Sequence, residues 1–147
     1  MPKLADNRRA LYDFEILDEF EAGLVLAGHE VKAVRDGLMK LAGSYVTIAS
    51  GEARLINAHI GRFPKAGKAN DYDPERTRQL LLHKREISKL AGKLEQKGLT
   101  LVPISVYTKG SRIKLKFGLA RGRKEFEKKE KKKSRDIERD MRRDLKG

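Results

Sequence analysis

The residues best suited to binding chemistry form a row of cations late in the chain. Arg112, Lys114 and Lys116 alternate with apolar residues over residues 112–119, and the bare Gly118 continues their side of the pattern. Successive side chains of a strand leave opposite faces, so the alternation predicts a half-buried strand with a cationic outer face. The predicted inner face carries Ile113, Leu115, Phe117 and Leu119. Three like charges in a row weaken a sheet unless an anion lies opposite them, so the pattern suggests RNA or DNA binding.

The positive charge continues beyond this strand into the C-terminal residues. Residues 121–147 hold 13 basic and 7 acidic residues, against 21 and 14 in residues 1–120. Pairs such as Glu127 with Lys131 have helical spacing, but each adds only about 0.2–0.5 kcal/mol to an isolated helix. We therefore predict an RNA-binding domain over residues 1–120 and a basic tail over 121–147. The tail should be disordered when free and helical against an anionic partner.

Composition limits the classes of partner and the compartment. Lys and Arg total 34 against 21 Asp and Glu, a net charge of +13, which favours polyanions. The sequence has no apolar run of spanning length and no lipidation motif, so we expect no membrane partner. It has no cysteine, and the N-terminal MPKLADNRR lacks an apolar signal core. We therefore expect a cytoplasmic protein.

The sequence offers no catalytic constellation. His29, His59 and His83 are far apart, and His29-Glu30 lacks the second histidine of a zincin helix. No glycine-rich phosphate loop is present. We therefore expect a protein that is not an enzyme and that needs no metal or other cofactor.

The remaining patterns predict a mainly β chain with two outer helices. Residues 28–35 and 84–97 have helical spacing, with Gly37 and Gly98 as the stops, and 61–74 reads as a loop. We predict seven strands, with Phe14 and Ile16 facing inward from the first and a tight turn at Ser50-Gly51. The predicted strands are 11–17, 20–26 (which would include Val25), 44–49, 52–60, 77–82, 99–107 and 112–119. Hairpins predominate, which favours a small antiparallel β-barrel of the oligonucleotide-binding (OB) type.

Four motifs together resemble one protein family over nearly the whole chain. They are GHEVKAVRDG at 28–37, DPERTRQLLLHKREI at 73–87, EQKGLTLVPISVY at 95–107 and KFGLARGRK at 116–124. In this order they are similar to the small protein B family, which binds transfer-messenger RNA (SsrA RNA). The resemblance implies an OB-type barrel, a basic tail and a role in bacterial trans-translation.

The resemblance also implies specific partners. A member of this family binds the tRNA-like domain of transfer-messenger RNA, supports its aminoacylation and delivers it to a stalled 70S ribosome. Its tail then occupies the empty mRNA channel near the decoding centre, against small-subunit rRNA. We expect a monomer that contacts no membrane.

Carried over by position, the family's RNA-contacting residues fall on Asn7, Glu21, Leu81 and Lys114. The cationic row adds Arg112 and Lys116. The motif at 28–37 adds Glu30, Lys32 and Arg35, for which a structural role is the alternative. The tail residues expected on the ribosome are Gly122, Arg123, Lys124, Phe126, Glu127, Lys128, Lys129, Lys131, Lys132 and Lys133.

Two tail residues have distinct expected roles. Lys129 stands where the family has an arginine, so it keeps the charge without the planar, bidentate fork. Phe126 is the only aromatic residue of the tail and has no local core to join. Base stacking is therefore its expected use.

Several alternatives remain open at the level of sequence. Lys114 and Lys116 could be solvated lysines that protect a strand edge. From its leucine run alone, Leu81 would be a core residue. Glu21 could be a plain surface carboxylate, or it could accept a hydrogen bond from a base edge or a ribose hydroxyl. The alternative function is a ribosome-associated or general structured-RNA or single-strand-binding OB protein, with comparable affinity for any structured RNA.

Overall fold

The computed structural model describes residues 2–63, 72–124 and 127–129. Within these ranges the chain forms nine strands and three helices of defined extent, and residues 127–129 are helical as well. In chain order they are β1 (Lys3–Asp6), α1 (Arg8–Asp13), β2 (Phe14–Leu24), α2 (Gly28–Arg35), β3 (Met39–Lys40), β4 (Tyr45–Ala49), β5 (Glu52–Ile56), β6 (His59–Ile60), β7 (Arg78–Leu81), α3 (Lys84–Lys93), β8 (Leu99–Lys109) and β9 (Arg112–Gly122).

The large sheet closes on itself. Its strand order is β1-β8-β4-β5-β7-β2-β9. Because β9 also pairs with β8, the six strands from β8 to β9 in this order form a closed ring, and β1 pairs with β8 at its outside. The pairings within the ring are antiparallel. The prediction of a mainly β, antiparallel chain with helices is therefore confirmed.

The core lies on the inner face of this ring. Leu101, Leu115 and Phe117 are fully buried, and the helices add Val34 from α2 and Leu90 from α3. Burying one such side chain contributes about 1.5–3 kcal/mol. The apolar half of the alternation at 112–119 therefore faces the core, as the pattern predicts.

The N-terminal region differs from the prediction. Residues 11–13 end a helix instead of beginning a strand, because Asn7 caps α1 by accepting a hydrogen bond from the Ala10 N–H (3.4 Å). An asparagine at this position satisfies a helix donor that would otherwise lack a partner. The predicted strands 11–17 and 20–26 are in fact one strand, β2, which continues through Asp18-Glu19.

Phe14 and Ile16 do not face the main core. They pack beside a separate cluster of Ala10, Val102 and Ala120. The physical reason is a bulge in β2 immediately after Ile16. One extra residue in a strand reverses which side chains face the core, so the alternation cannot be extended across it.

The same cluster covers Gly118. The sequence pattern places this glycine on the outer face, but the residue is buried there. A Cβ on Gly118 would lie 2.8 Å from Ile16 Cγ2 and 3.2 Å from the Asp18 carbonyl oxygen. The outer face of β9 therefore changes from open at its start to closely packed near its end.

The turns explain most of the remaining boundaries. Gly37 has φ +79°, the left-handed conformation expected of a glycine that ends a helix. Ser50 and Gly51 both have positive φ angles, as a two-residue hairpin turn requires. Asn57, with φ +64°, divides the predicted strand 52–60 into β5 and β6. Residues 64–71 of the predicted loop lie outside the described residues.

Other predicted elements differ at their ends. The helix predicted over 84–97 ends at Lys93, and the strand predicted over 77–82 is limited to Arg78–Leu81. Val25, which was predicted to lie in a strand, follows the end of β2. The last two strands run further than predicted, to Lys109 and Gly122. None of the helices described here has the length and apolar character needed to cross a membrane.

Candidate nucleic-acid interface

A groove of about 800 Å³ lies where β2, β7 and the start of β9 meet. Its lining includes four of the residues predicted from sequence: Glu21, Leu81, Arg112 and Lys114. They come from three strands, and 91 residues separate Glu21 from Arg112 along the chain. The closed ring brings them together.

Gly23 forms the floor between these side chains. It is registered opposite Lys114 on one side and opposite Leu81 on the other. A Cβ at Gly23 would lie 3.3 Å from the Leu81 Cβ, so a larger residue would press on Leu81. Glycine within a strand often marks such a close approach.

Leu81 projects into the groove and is 58% exposed. The preceding Leu80 is 2% exposed and belongs to the core. The leucine run alone suggests that Leu81 is a core residue, and that interpretation is wrong because β7 alternates its faces. Leu81 instead offers an apolar surface suited to the face of a base.

The carboxylates of β2 neutralise only part of the cationic row. Within the row, Lys116 Nζ lies 3.7 Å from Glu19 Oε2, and beyond the row Arg121 is paired with Glu15. Across the described part of the chain, no carboxylate oxygen lies within 4.0 Å of a charged nitrogen of Arg112 or Lys114. Arg112 and Lys114 therefore have no direct carboxylate partner at the groove, where an RNA phosphate can contact them.

Of the two acidic residues that line this groove, Glu21 and Glu86, Glu21 is the one predicted to contact RNA. Its carboxylate accepts hydrogen bonds from the Tyr107 hydroxyl and from Lys109 Nζ (3.3 Å). The bond from Tyr107 is the largest influence on its pKa, and together with Lys109 and the charge of Lys114 it outweighs burial and lowers that pKa. Glu21 is therefore an ionised hydrogen-bond acceptor at neutral pH.

Asn7 lies away from the groove and is buried. Its Nδ2 donates to the Pro103 carbonyl oxygen (2.8 Å), and its Oδ1 accepts from the Ala10 N–H. Both ends of the side chain are thus used to fix the start of α1 against β8. An RNA contact at Asn7 stays a prediction, and the geometry shows a structural role.

Glu30 is fully buried at the centre of a polar cluster. It pairs with Arg78 (Nη2–Oε2 2.6 Å) and with Arg76, and it accepts from the Ala27 N–H (3.0 Å) and the Tyr72 hydroxyl (3.1 Å). Burial opposes its ionisation, but the hydrogen bonds outweigh burial and lower its pKa to about 2. The cluster fastens α2 to β7 and to residues 72–76.

Lys32 and Arg35 are exposed on α2, outside the lining of the groove. Lys32 Nζ lies 5.9 Å from the centre of the Phe63 ring, within range of a cation–π interaction. The residues predicted from the motif at 28–37 therefore lie outside the groove that holds Glu21 and Lys114.

The first tail residues continue from the end of β9, also outside the groove lining. Gly122 is the last residue of β9, and the Arg123 N–H donates to the Asp13 carbonyl oxygen (2.8 Å). Lys128 Nζ lies 3.7 Å from Asp13 Oδ1. Exposed residues here are Gly122, Lys124 and Lys129, with Arg123, Glu127 and Lys128 partly covered. Phe126, Lys131, Lys132 and Lys133 lie outside the described residues.

Several residues at this site were not predicted from the sequence to take part in it. Gly23 and His83 line the groove, and Tyr107 and Lys109 hold Glu21. Two signals were available: a glycine inside a strand pattern, and a tyrosine in an apolar strand whose hydroxyl needs a partner. Neither signal identifies that partner, because Glu21 and Tyr107 are 86 residues apart.

Comparison with known proteins agrees with the resemblance noted in the sequence. The family model described as SmpB protein matches residues 4–147. The SsrA-binding protein of Microcystis aeruginosa is 52% identical over 127 residues, which is 86% of this chain and 82% of that protein. The SsrA-binding protein of Paraburkholderia xenovorans is 50% identical over 127 residues, 86% of each chain.

A solved structure is similar as well. A chain from "tmRNA-SmpB: a journey to the center of the bacterial ribosome" superposes with a TM-score of 0.68 at 47% identity. The match covers 82% of this chain and 84% of that one. Because the family model and relatives of about half identity span most of the sequence, this chain belongs to the SmpB protein family.

Proposed function

We propose that this protein binds the tRNA-like domain of transfer-messenger RNA and accompanies that RNA to stalled ribosomes in trans-translation. The observation that carries the proposal is the groove that unites Glu21, Leu81, Arg112 and Lys114. The relatives are SsrA-binding proteins, and the similar solved structure concerns tmRNA-SmpB and the bacterial ribosome.

The groove residues divide the work of recognition. Arg112 and Lys114 neutralise phosphates, which supplies affinity and makes binding sensitive to salt. Leu81 packs against an unstacked base of a loop, the part of an RNA fold whose bases are accessible. Glu21 accepts from a base-edge N–H or a ribose hydroxyl, since a carboxylate beside phosphates is otherwise unfavourable.

The ring of strands is proposed to be a small barrel of the OB type. In its favour, the β8–β9 pairing closes the sheet. OB barrels bind oligonucleotides on a strand face and its adjoining loops. We propose that residues 1–120 form this RNA-binding domain and that 121–147 are the tail, although β9 itself extends to Gly122.

The tail is proposed to act on the ribosome. Apart from residues 127–129, which are already helical, it is largely disordered when free and becomes helical in the empty mRNA channel near the decoding centre, where its 13 basic residues meet rRNA. The domain and tail together deliver the RNA, and the domain supports its aminoacylation. The protein acts as a monomer in the cytoplasm, by binding and not by catalysis.

The first experiment tests RNA preference. The full-length protein is titrated with the isolated tRNA-like domain and with an unrelated structured RNA of equal length, at the same salt concentration. We expect tighter binding to the tRNA-like domain by at least tenfold, about 1.4 kcal/mol. Equal affinity would support the general structured-RNA-binding alternative.

The second experiment separates the domain from the tail. The chain is truncated after Lys124, beyond the end of β9. The truncated and full-length proteins are compared by circular dichroism for folding, by RNA binding, and by peptide tagging on stalled ribosomes. Binding to the tRNA-like domain should stay within about tenfold, and tagging should be lost. Phe126→Ala in the full chain should also reduce tagging and spare RNA binding. Normal tagging by the truncated protein would refute the division of roles.

A further inference from the structure

Strand β9 lies between β8 and β2, and one hydrogen bond passes over it. Tyr107 on β8 is registered opposite Lys114, while Glu21 on β2 is registered opposite Lys116. The Tyr107 hydroxyl nevertheless donates to Oε2 of Glu21. Two long side chains therefore meet above the central strand, between two of its cations.

A second donor holds the other carboxylate oxygen. Lys109 Nζ, also on β8, lies 3.3 Å from Glu21 Oε1. Each oxygen thus has one protein donor, and a carboxylate has about four acceptor positions in all. The remaining positions are available to a ligand, because Glu21 lines the groove.

Tyr107 is suited to be a permanent donor. Its side chain is only 6% exposed, so its position is fixed by packing. Burial, followed by the hydrogen bond to Glu21 and then the negative charge of Glu21, raises the pKa of Tyr107 to about 12. Its hydroxyl therefore keeps its proton at any pH at which RNA binding is measured.

We propose that Tyr107 and Lys109 are positioning residues for RNA recognition. They hold the Glu21 carboxylate in one orientation, in which its free lone pairs accept a hydrogen bond from an N–H or O–H donor of the RNA. A free glutamate on a strand would lose rotational freedom on binding and would turn away from phosphates. The two donors from β8 remove that freedom beforehand. The inference rests on the proposed function, because it assigns the recognised group to the same groove.

The test is a double-mutant cycle in the full-length protein. Affinity for the tRNA-like domain is measured for wild type, Tyr107→Phe, Glu21→Ala and the double variant, at one salt concentration. Tyr107→Phe should weaken binding about fivefold, which corresponds to about 1 kcal/mol, the usual net contribution of one intramolecular hydrogen bond. In the Glu21→Ala background the same substitution should change affinity by less than about twofold.

The cycle distinguishes positioning from a structural role. Urea unfolding of the four proteins accompanies the cycle, and a loss of affinity that is equal in both backgrounds, or that only follows a loss of stability, would overturn the inference. The inference would also be overturned if Tyr107→Phe left affinity unchanged. Tyr45→Phe is the matched control, since Tyr45 is exposed and outside this groove, and it should bind as wild type does.

Lys109→Met is the second variant, for use if Tyr107→Phe does not fold. Lys109 is exposed, so its replacement should leave the fold intact. Its effect should likewise vanish in the Glu21→Ala background. A loss that persists there, with a reduced salt dependence, would mean that Lys109 binds phosphate directly and would overturn its positioning role. A wild-type protein with no preference for the tRNA-like domain would instead refute the proposed function.

Discussion

Lys114 on β9 lies directly opposite Gly23 on β2, so the lysine has no side chain across from it on that strand. Two residues further along β9, Lys116 lies opposite Glu21 and is paired with Glu19. The two lysines look equivalent in the sequence, yet only Lys114 lies in the groove. The ring thus directs part of the cationic row toward a ligand and uses another part to hold its own strands together.

Lys114→Ala should weaken binding to the tRNA-like domain and reduce the magnitude of the salt slope by about one. Lys116→Ala should have a smaller effect on both, because its charge is already shared with Glu19. The measurement is affinity as a function of salt concentration. Lys40→Ala, an exposed change outside the groove, is the control. An unchanged slope in a folded Lys114→Ala protein would remove Lys114 from the contact set.

Glu21→Ala should weaken RNA binding although it removes a negative charge. A surface that bound only phosphates would bind more tightly after this change, so the sign of the effect is diagnostic. Gel-shift titration with the tRNA-like domain measures it. Glu52→Ala, an exposed change on β5, should follow the simple charge expectation of equal or slightly tighter binding. Tighter binding by Glu21→Ala would show that no hydrogen bond to RNA is made there.

Glu30→Gln should destabilise the fold by about 3 kcal/mol at neutral pH, because the amide leaves the buried Arg78 without its anion. The pKa of Glu30 is about 2 when folded, against an ordinary value of 4.5. The stabilisation is therefore complete above pH 4.5 and is lost as the pH falls toward 2. Urea unfolding at several pH values should show the difference between wild type and variant shrinking over that window.

The exposed Glu75→Gln should change stability by less than about 0.5 kcal/mol and serves as the control. A wild-type minus Glu30→Gln difference that did not depend on pH would contradict the linkage. It would mean that the lost stability comes from packing and not from the charge of Glu30.

Gly118→Ala should destabilise the protein by about 1–3 kcal/mol, because its Cβ would lie 2.8 Å from Ile16 Cγ2. Gly92→Ala is the matched comparison. Gly92 lies in α3 with nothing within 4 Å of an added Cβ, so alanine there should stabilise by about 0.5–1 kcal/mol. Thermal or urea unfolding of both variants checks the contrast. Equal stability would show that Ile16 moves aside freely.

Where the relevant interaction is local, the sequence was sufficient. The helix Gly28–Arg35, the Ser50-Gly51 hairpin and the strand that begins at Arg112 follow from spacing and turn chemistry over a few residues. The N-terminal region was mispredicted, because one Asn7 cap and one bulge after Ile16 change both the type of element and the face of the strand. A pattern of alternation carries no information about where an extra residue is inserted.

The sequence by itself determined the mainly β character, the excess of positive charge, the family resemblance and the cationic face of β9, since each is written in consecutive residues. Only the tertiary structure decided that Leu81 is exposed, that Asn7 and Glu30 are occupied by protein partners, and that Tyr107 holds Glu21. These facts depend on which strands become neighbours when the ring closes. Strand pairing over 86 residues of separation joins Glu21 to Tyr107, and no local pattern specifies it.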